Sequence, residues 1–88
     1  MQLREAMNTY NPALFEIKKR GYEIYVRLTD DELDIDSWRA MKDNLEISGF
    51  NPLSLLGLII IAEQYGENWR QIETGDLYGE ILERDCSQ

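Results

Sequence analysis

The chain has 88 residues, enough for one domain built around one hydrophobic core. Its 43% hydrophobic and 30% charged residues are typical of a folded domain and not of a disordered chain. Seventeen acidic residues against nine basic ones give a formal net charge of −8, so nucleic-acid backbones and anionic membrane surfaces should repel the molecule. We therefore expect no nucleic-acid or membrane partner, whereas a basic protein surface would attract the chain.

Missing residue types exclude whole classes of chemistry. The chain has no histidine, so it contains no Ser-His or Cys-His nucleophile pair and no histidine metal ligand. Its single cysteine, Cys86, cannot form an internal disulfide, and the N-terminal residues lack the apolar core of a signal peptide. The longest apolar run, 53–62, is shorter than the ~20 residues that cross a bilayer. We expect a cytoplasmic protein that uses no cofactor and is not an enzyme.

The first part of the chain predicts a capped helix. Residues 1–10 carry few signals, and a short helix and a frayed end fit them about equally well. Asn11 can cap a helix N-terminus, Pro12 suits the first turn, and Gly21 suits the position after a helix end. The only basic cluster, 18–20, could meet phosphate, but cations in a last turn are more simply explained by the helix dipole.

Residues 22–28 alternate apolar and polar side chains, rich in β-branched and aromatic types, and predict a strand that ends in a turn at 29–32. The next segment, 33–49, fits two structures. One is a hairpin with strands near 35–41 and 45–48 that turns at 42–44, where Asp and Asn tolerate positive φ angles.

The other structure for this segment is a helix capped by Asp36, because Trp38, Met41 and Leu45 have the spacing i, i+3, i+7. We favour the hairpin, since the strand at 22–28 needs partners that no other segment offers.

The segment from Asn51 to Gly66 predicts a central helix. Asn51 can cap it, Pro52 suits its first turn, and Gly66 suits its end. Almost every side chain between 53 and 62 is apolar, so the helix should be covered on more than one side. Gly57 interrupts it at a cost of ~1 kcal/mol relative to alanine, which suggests that another element, such as Trp38, crosses there. A buried strand is the alternative for 55–61, but the stop signals at both ends favour the helix.

A last amphipathic helix is predicted from four apolar residues on one face, with Asp76 or Thr74 as its cap and a frayed end at 85–88. The four are Leu77, Tyr78, Ile81 and Leu82. The predicted fold is one α+β domain, 1–88, in which a small antiparallel sheet of about three strands packs against the central apolar helix. Short N- and C-terminal helices complete it, and the C-terminal one should cover part of the sheet's other side. Apolar surface left uncovered would favour a homodimer.

Five acids within seven residues form a candidate binding segment. They are Asp30, Asp31, Glu32, Asp34 and Asp36. Acids at alternate positions are typical of a calcium loop, but counting from Glu32 places Ser37 and Asp43 where that loop needs glycine and glutamate. We therefore expect no metal site here. A solvated turn is the simplest interpretation, and a docking patch for a basic protein is the functional one.

Trp38 and Trp69 are candidates for the core or for an interface, and Trp69 is the better interface anchor because its segment, 67–71, is polar. No catalytic constellation stands out, since neither Lys42 nor Glu63 has a partner visible in the sequence. The sequence thus predicts a small acidic, non-catalytic protein-interaction module. A sharper form is an inhibitor of a basic enzyme, of the immunity or nucleic-acid-mimic type. A small enzyme or metal-binding protein is the third alternative.

Overall fold

The computed structural model describes residues 1–86, which form an α+β fold with one antiparallel sheet. Its elements, in chain order, are a 3-10 turn Met7–Thr9, α1 (Tyr10–Lys19), β1 (Glu23–Leu28), β2 (Ile35–Lys42), β3 (Leu45–Gly49), α2 (Pro52–Tyr65), a 3-10 segment Gly66–Gln71 and α3 (Leu77–Cys86). The predicted fold class is confirmed. Part of the fraying predicted for 85–88 lies outside the described residues, and Asp85 and Cys86 belong to α3.

The sheet has the order β1-β2-β3, with both pairs antiparallel. The β2–β3 turn contains Asp43 at a φ of 54°, which is the positive value that tight hairpin turns require. The hairpin interpretation is therefore confirmed and the alternative helix is excluded. On the inner face of the sheet, Ala40 of β2 lies between Ile24 of β1 and Ile47 of β3.

The core lies between this inner face and the helices α1 and α2. Its buried side chains are Ile17, Tyr22, Ala40, Leu55 and Ile59. Gly49 allows β3 and α2 to meet closely, because a Cβ atom there would lie only 2.9 Å from the backbone nitrogen of Leu55. Trp38, which pairs with Gly49, is half-buried against the core and not enclosed by it.

The outer face of the sheet stays open, contrary to our prediction that the C-terminal helix covers it. Helix α3 buries none of its residues. The outer face carries polar residues, among them Glu23, Arg39 and Glu46, and Arg39 pairs with Glu46 across the strands. Such a face offers little apolar area to a helix, so nothing drives α3 onto it.

Two of the three α-helices in residues 1–86 have the N-terminal cap residue that the sequence predicts. The Ser54 N–H donates to Asn51 Oδ1 at 2.8 Å, and the Gly79 N–H donates to Asp76 Oδ1 at 3.1 Å. Asn11, however, lies inside α1, which begins at Tyr10 after Thr9 as its N-cap residue. The 3-10 turn before it carries the chain directly into α1, which moves the helix start ahead of Asn11.

Within this chain α2 is covered on one side only. It buries Pro52, Leu55 and Ile59, while Leu58, Ile60 and Ile61 are each more than 40% exposed. The expected crossing at Gly57 is also absent, since no atom lies within 4 Å of the position where a Cβ would stand. The prediction of cover on several sides is therefore wrong for the isolated chain.

Candidate functional site

The acidic segment forms an exposed, internally bonded turn between β1 and β2. Its ends are joined by the Thr29 N–H, which donates to the Asp34 carbonyl at 2.9 Å. Asp31 organises the turn, because its Oδ1 accepts hydrogen bonds from the Thr29 hydroxyl and, at 3.0 Å, from the Leu33 N–H. These bonds lower the pKa of the Asp31 carboxyl, with the Thr29 bond as the main cause. All five candidate acids, 30–36, are exposed.

The internal hydrogen bonds fix the backbone of the turn and leave most of its carboxylates exposed to a partner. Glu32 adopts a φ of 61°, an uncommon value for a residue with a side chain, and its N–H donates to the Thr29 carbonyl at 2.8 Å. Asp36 lies 3.9 Å from Arg27 in an exposed pair, which contributes little to stability. The turn therefore presents several carboxylates on a defined backbone, as a docking patch would require.

Trp69 lies at a different place, in a groove between β3 and the C-terminal half of α2. The groove has a volume of about 520 Å³, and Trp69 is 48% exposed at its rim. The groove is bordered by Leu45, Glu46, Ile47 and Ser48 from β3, by Leu58, Ile61 and Ala62 from α2, and by Gly66, Glu67 and Trp69 from the 3-10 segment. The Arg70 guanidinium stands 4.9 Å from the centroid of the Trp69 ring. This is a cation–π contact between two neighbouring exposed side chains, a geometry usually worth on the order of 0.5–1 kcal/mol.

The strand beside the groove is an edge strand. Among the described residues β3 pairs only with β2, so one edge of its backbone has no strand partner. Such an edge can accept an extended peptide as an additional strand, while a neighbouring pocket receives alternate side chains. The groove and the edge together thus form a site suited to an extended segment of another protein.

The acidic turn and the Trp69 groove do not adjoin each other. Strand β2 runs from the turn at Ile35 to Lys42, about 23 Å at the usual rise per residue. The groove follows 45–48, which pair with 39–42 at the far half of β2. No residue of the acidic turn lines the groove. The acidic turn and the Trp69 groove are therefore two separate candidate surfaces.

A polar cluster that the sequence did not reveal joins α1, the turn between α1 and β1, β2 and α2. The Tyr22 hydroxyl donates to Glu63 Oε2 at 3.0 Å, and Arg20 binds both Glu63 and, at 3.2 Å, Glu16. Burial is the main cause that raises the pKa of Tyr22, and the bond to Glu63 raises it further. Lys42 completes the cluster by donating to the Arg20 carbonyl at 2.9 Å.

This cluster supplies partners for Lys42 and Glu63, for which none was visible in the sequence. Tyr22 and Glu63 are 41 residues apart in the chain, so no local spacing could have indicated the bond. Every polar member is engaged within the fold, and none of them lines the groove. We interpret the cluster as a set of structural polar contacts that link the two helices to the sheet.

Throughout residues 1–86, no three His, Cys, Asp or Glu side chains form a group that could hold a metal ion. No helix in the described part of the chain has the length and apolar character needed to cross a membrane.

Comparisons of the chain with protein-family models, with curated proteins and with solved structures found no match.

Proposed function

We propose that this protein is a non-catalytic protein-interaction module that binds a basic partner through the Trp69 groove. The observation that carries the proposal is the groove itself. It combines an exposed indole, apolar walls and a free strand edge within about 520 Å³. That volume lies in the usual range of binding pockets, roughly 300–1,000 Å³.

Geometry favours an extended segment as the ligand. A peptide that adds to the edge of β3 would form main-chain hydrogen bonds, and every second side chain would point toward the groove. An aliphatic or aromatic side chain would there contact Trp69, Leu58 and Ile61. Buried aromatic contacts supply most of the affinity in interfaces of this kind.

Charge favours a basic ligand. Glu67 lies at the groove, where a lysine or arginine of the partner would meet its carboxylate. The net charge of −8 and the exposed acidic turn add a long-range attraction that speeds encounter. In this proposal the groove sets the lifetime of the complex and the turn affects the rate at which it forms.

The proposal is tested by cross-linking capture from the native host with three baits, namely the wild-type protein, Trp69→Ala and Phe15→Ala. Phe15 is a matched control, since it is an exposed aromatic on α1 that does not line the groove. We expect a partner with a basic surface that the wild type and Phe15→Ala retain and that Trp69→Ala loses. Equal capture by all three folded baits would contradict the groove as the binding site.

The identity of the captured protein separates the forms of this proposal. If the partner is an enzyme whose rate falls as the complex forms, the module is an inhibitor of a basic enzyme. If the partner keeps its activity, the module is an adaptor. We propose a cytoplasmic location for either form, because the single cysteine is free and the cytoplasm keeps thiols reduced.

A further inference from the structure

One face of α2 faces solvent although it is apolar. Five residues within about 100° of arc define it, and we refer to them as the outer face of α2. They are Leu53, Gly57, Ile60, Ile61 and Gln64. Ile60 and Ile61 are 45% and 42% exposed, Leu53 is half-buried, and no atom of the chain lies within 4 Å of the Cβ position of Gly57. From 53 to 62 the helix contains no charged residue.

The chain as a whole leaves much more area exposed than a compact monomer does. Its accessible surface is 7671 Å². A monomer of its 10.3 kDa mass is expected to expose about 5,400 Å². The excess, about 2,300 Å², is larger than the roughly 800 Å² that each partner contributes to a standard interface. Residues 1–8 and α3 contribute to this excess, because nearly all of them are exposed, and the open side of α2 contributes as well.

We propose that a second copy of this chain covers the outer face of α2, in a two-fold dimer whose α2 helices cross antiparallel at Gly57. This inference does not depend on the proposed groove function, and the two surfaces adjoin at Ile61, which borders the groove as well as this face. A two-fold axis at Gly57 pairs positions at equal distances on either side of it, so Leu53 meets Ile61 and Ser54 meets Ile60. The same symmetry places Phe50, which is 87% exposed, opposite Gln64 of the other copy.

Gly57 supports the choice of this axis. Glycine in a helix interior lowers stability relative to alanine, and the close approach of another element is a common reason for it. Within the chain no element approaches Gly57. In the dimer, the missing side chain lets the two helices approach each other at their crossing point. An isologous contact uses the same patch on both copies, and a glycine at its centre meets itself.

Charge favours a second copy over a basic partner as the occupant. A basic partner would gain nothing from a face without carboxylates, whereas it would gain from the groove and the acidic turn. Two copies that each carry −8 repel each other over most of their surface. The outer face of α2 is where they can meet with no charge in the contact.

The test is sedimentation equilibrium of the full chain over a wide concentration range, with Ile60→Glu and Phe15→Glu. Ile60 lies on the proposed interface and outside the groove, and Phe15 is an equally apolar surface position on α1. We expect the wild type and Phe15→Glu to reach twice the mass of one chain, and Ile60→Glu to lose the dimer. A single-chain mass at every concentration, or an equally stable dimer of Ile60→Glu, would overturn the proposal.

A cross-linking experiment decides the matter if Ile60→Glu fails to fold. In a Cys86→Ser background, Ser54→Cys is treated with a bifunctional maleimide, with Phe15→Cys as the control. The two copies of residue 54 stand three residues to either side of the crossing, about 9 Å apart along the helices, so the crossing at Gly57 predicts a covalent dimer for the first variant and a monomer for the second. An absence of cross-linked Ser54→Cys, or equal cross-linking of both, would place any association elsewhere and overturn the inference.

Discussion

Gly49 ends β3 at the point where the backbone of α2 passes, and a Cβ there would lie 2.9 Å from the nitrogen and 3.1 Å from the Cα of Leu55. The atoms that an added Cβ would meet belong to the backbone, which cannot move aside as the end of a flexible side chain can. We expect Gly49→Ala to lower the midpoint of urea unfolding, because β3 and α2 must separate to admit the methyl group.

Gly57→Ala is the matched comparison, since the space around its Cβ position is empty. At concentrations low enough to keep the chain monomeric, the alanine should raise stability by up to ~1 kcal/mol through helix propensity. Equal destabilisation by the two substitutions would contradict the close approach at Gly49.

Tyr22 gives the fold a sensitivity to alkaline pH. Its folded pKa is raised above the ordinary value of 10.0, so the proton is held more tightly in the folded state. The resulting stability is complete below pH 10 and is lost as the pH rises through the folded pKa. We expect urea unfolding midpoints to fall above pH 10 in the wild type and to fall less in Tyr22→Phe.

Tyr25 provides the control for that experiment. The hydrogen bond to Glu23 raises the pKa of Tyr25 as well, but this pair lies on the exposed strand surface, where solvent screens it, so Tyr25→Phe should keep most of the alkaline loss of the wild type. If Tyr22→Phe and the wild type lost stability in parallel above pH 10, the buried hydroxyl would not be the source.

At the scale of elements, the acidic turn and the groove should control different steps of binding. Neutralising Asp31, Glu32 and Asp34 to their amides should slow association with a basic partner, because it removes long-range attraction. The rate of dissociation should change little, since the turn lies outside the groove.

Trp69→Ala should instead speed dissociation and leave association nearly unchanged. Surface plasmon resonance with the partner at two salt concentrations separates the two effects, and salt should reduce the association rate of the wild type most. Association rates that do not respond to salt would contradict the role of the acidic turn.

The sequence predicted the secondary-structure elements better than the contacts between them. Alternation at 22–28, the Asp43 turn and the stop signals around α2 are local, and all three were confirmed. Asn11 and Asn51 precede proline in the same way, but only Asn51 caps a helix. Helix α1 already begins at Tyr10, after Thr9, so Asn11 lies inside it. The groove joins residues from three separate segments, so only the exposure of Trp69 could be anticipated from its polar neighbours.

At the scale of the whole molecule, a small core makes stability depend on a few side chains. Leu55→Ala should cost ~2–5 kcal/mol at any protein concentration, as truncation of a fully buried leucine usually does. Ile60→Ala would cost as much if α2 were covered on several sides, but Ile60 is 45% exposed, so the change should destabilise mainly where the chain is dimeric. Thermal melts at low and high concentration distinguish the two, and an equal, concentration-independent loss would return Ile60 to the monomer core.

Helix α3 adds no buried residue to the fold, and this bears on which mutations selection can tolerate. A saturation library sorted for folded protein should accept nearly every change at 77–86 while rejecting polar ones at Leu55 and Ile59. The apolar stripe of α3, with Leu77 and Ile81, is then free to drift unless it serves another purpose. Depletion of polar variants at these two positions, in a library selected for fitness in the host, would therefore identify a role of α3 beyond folding.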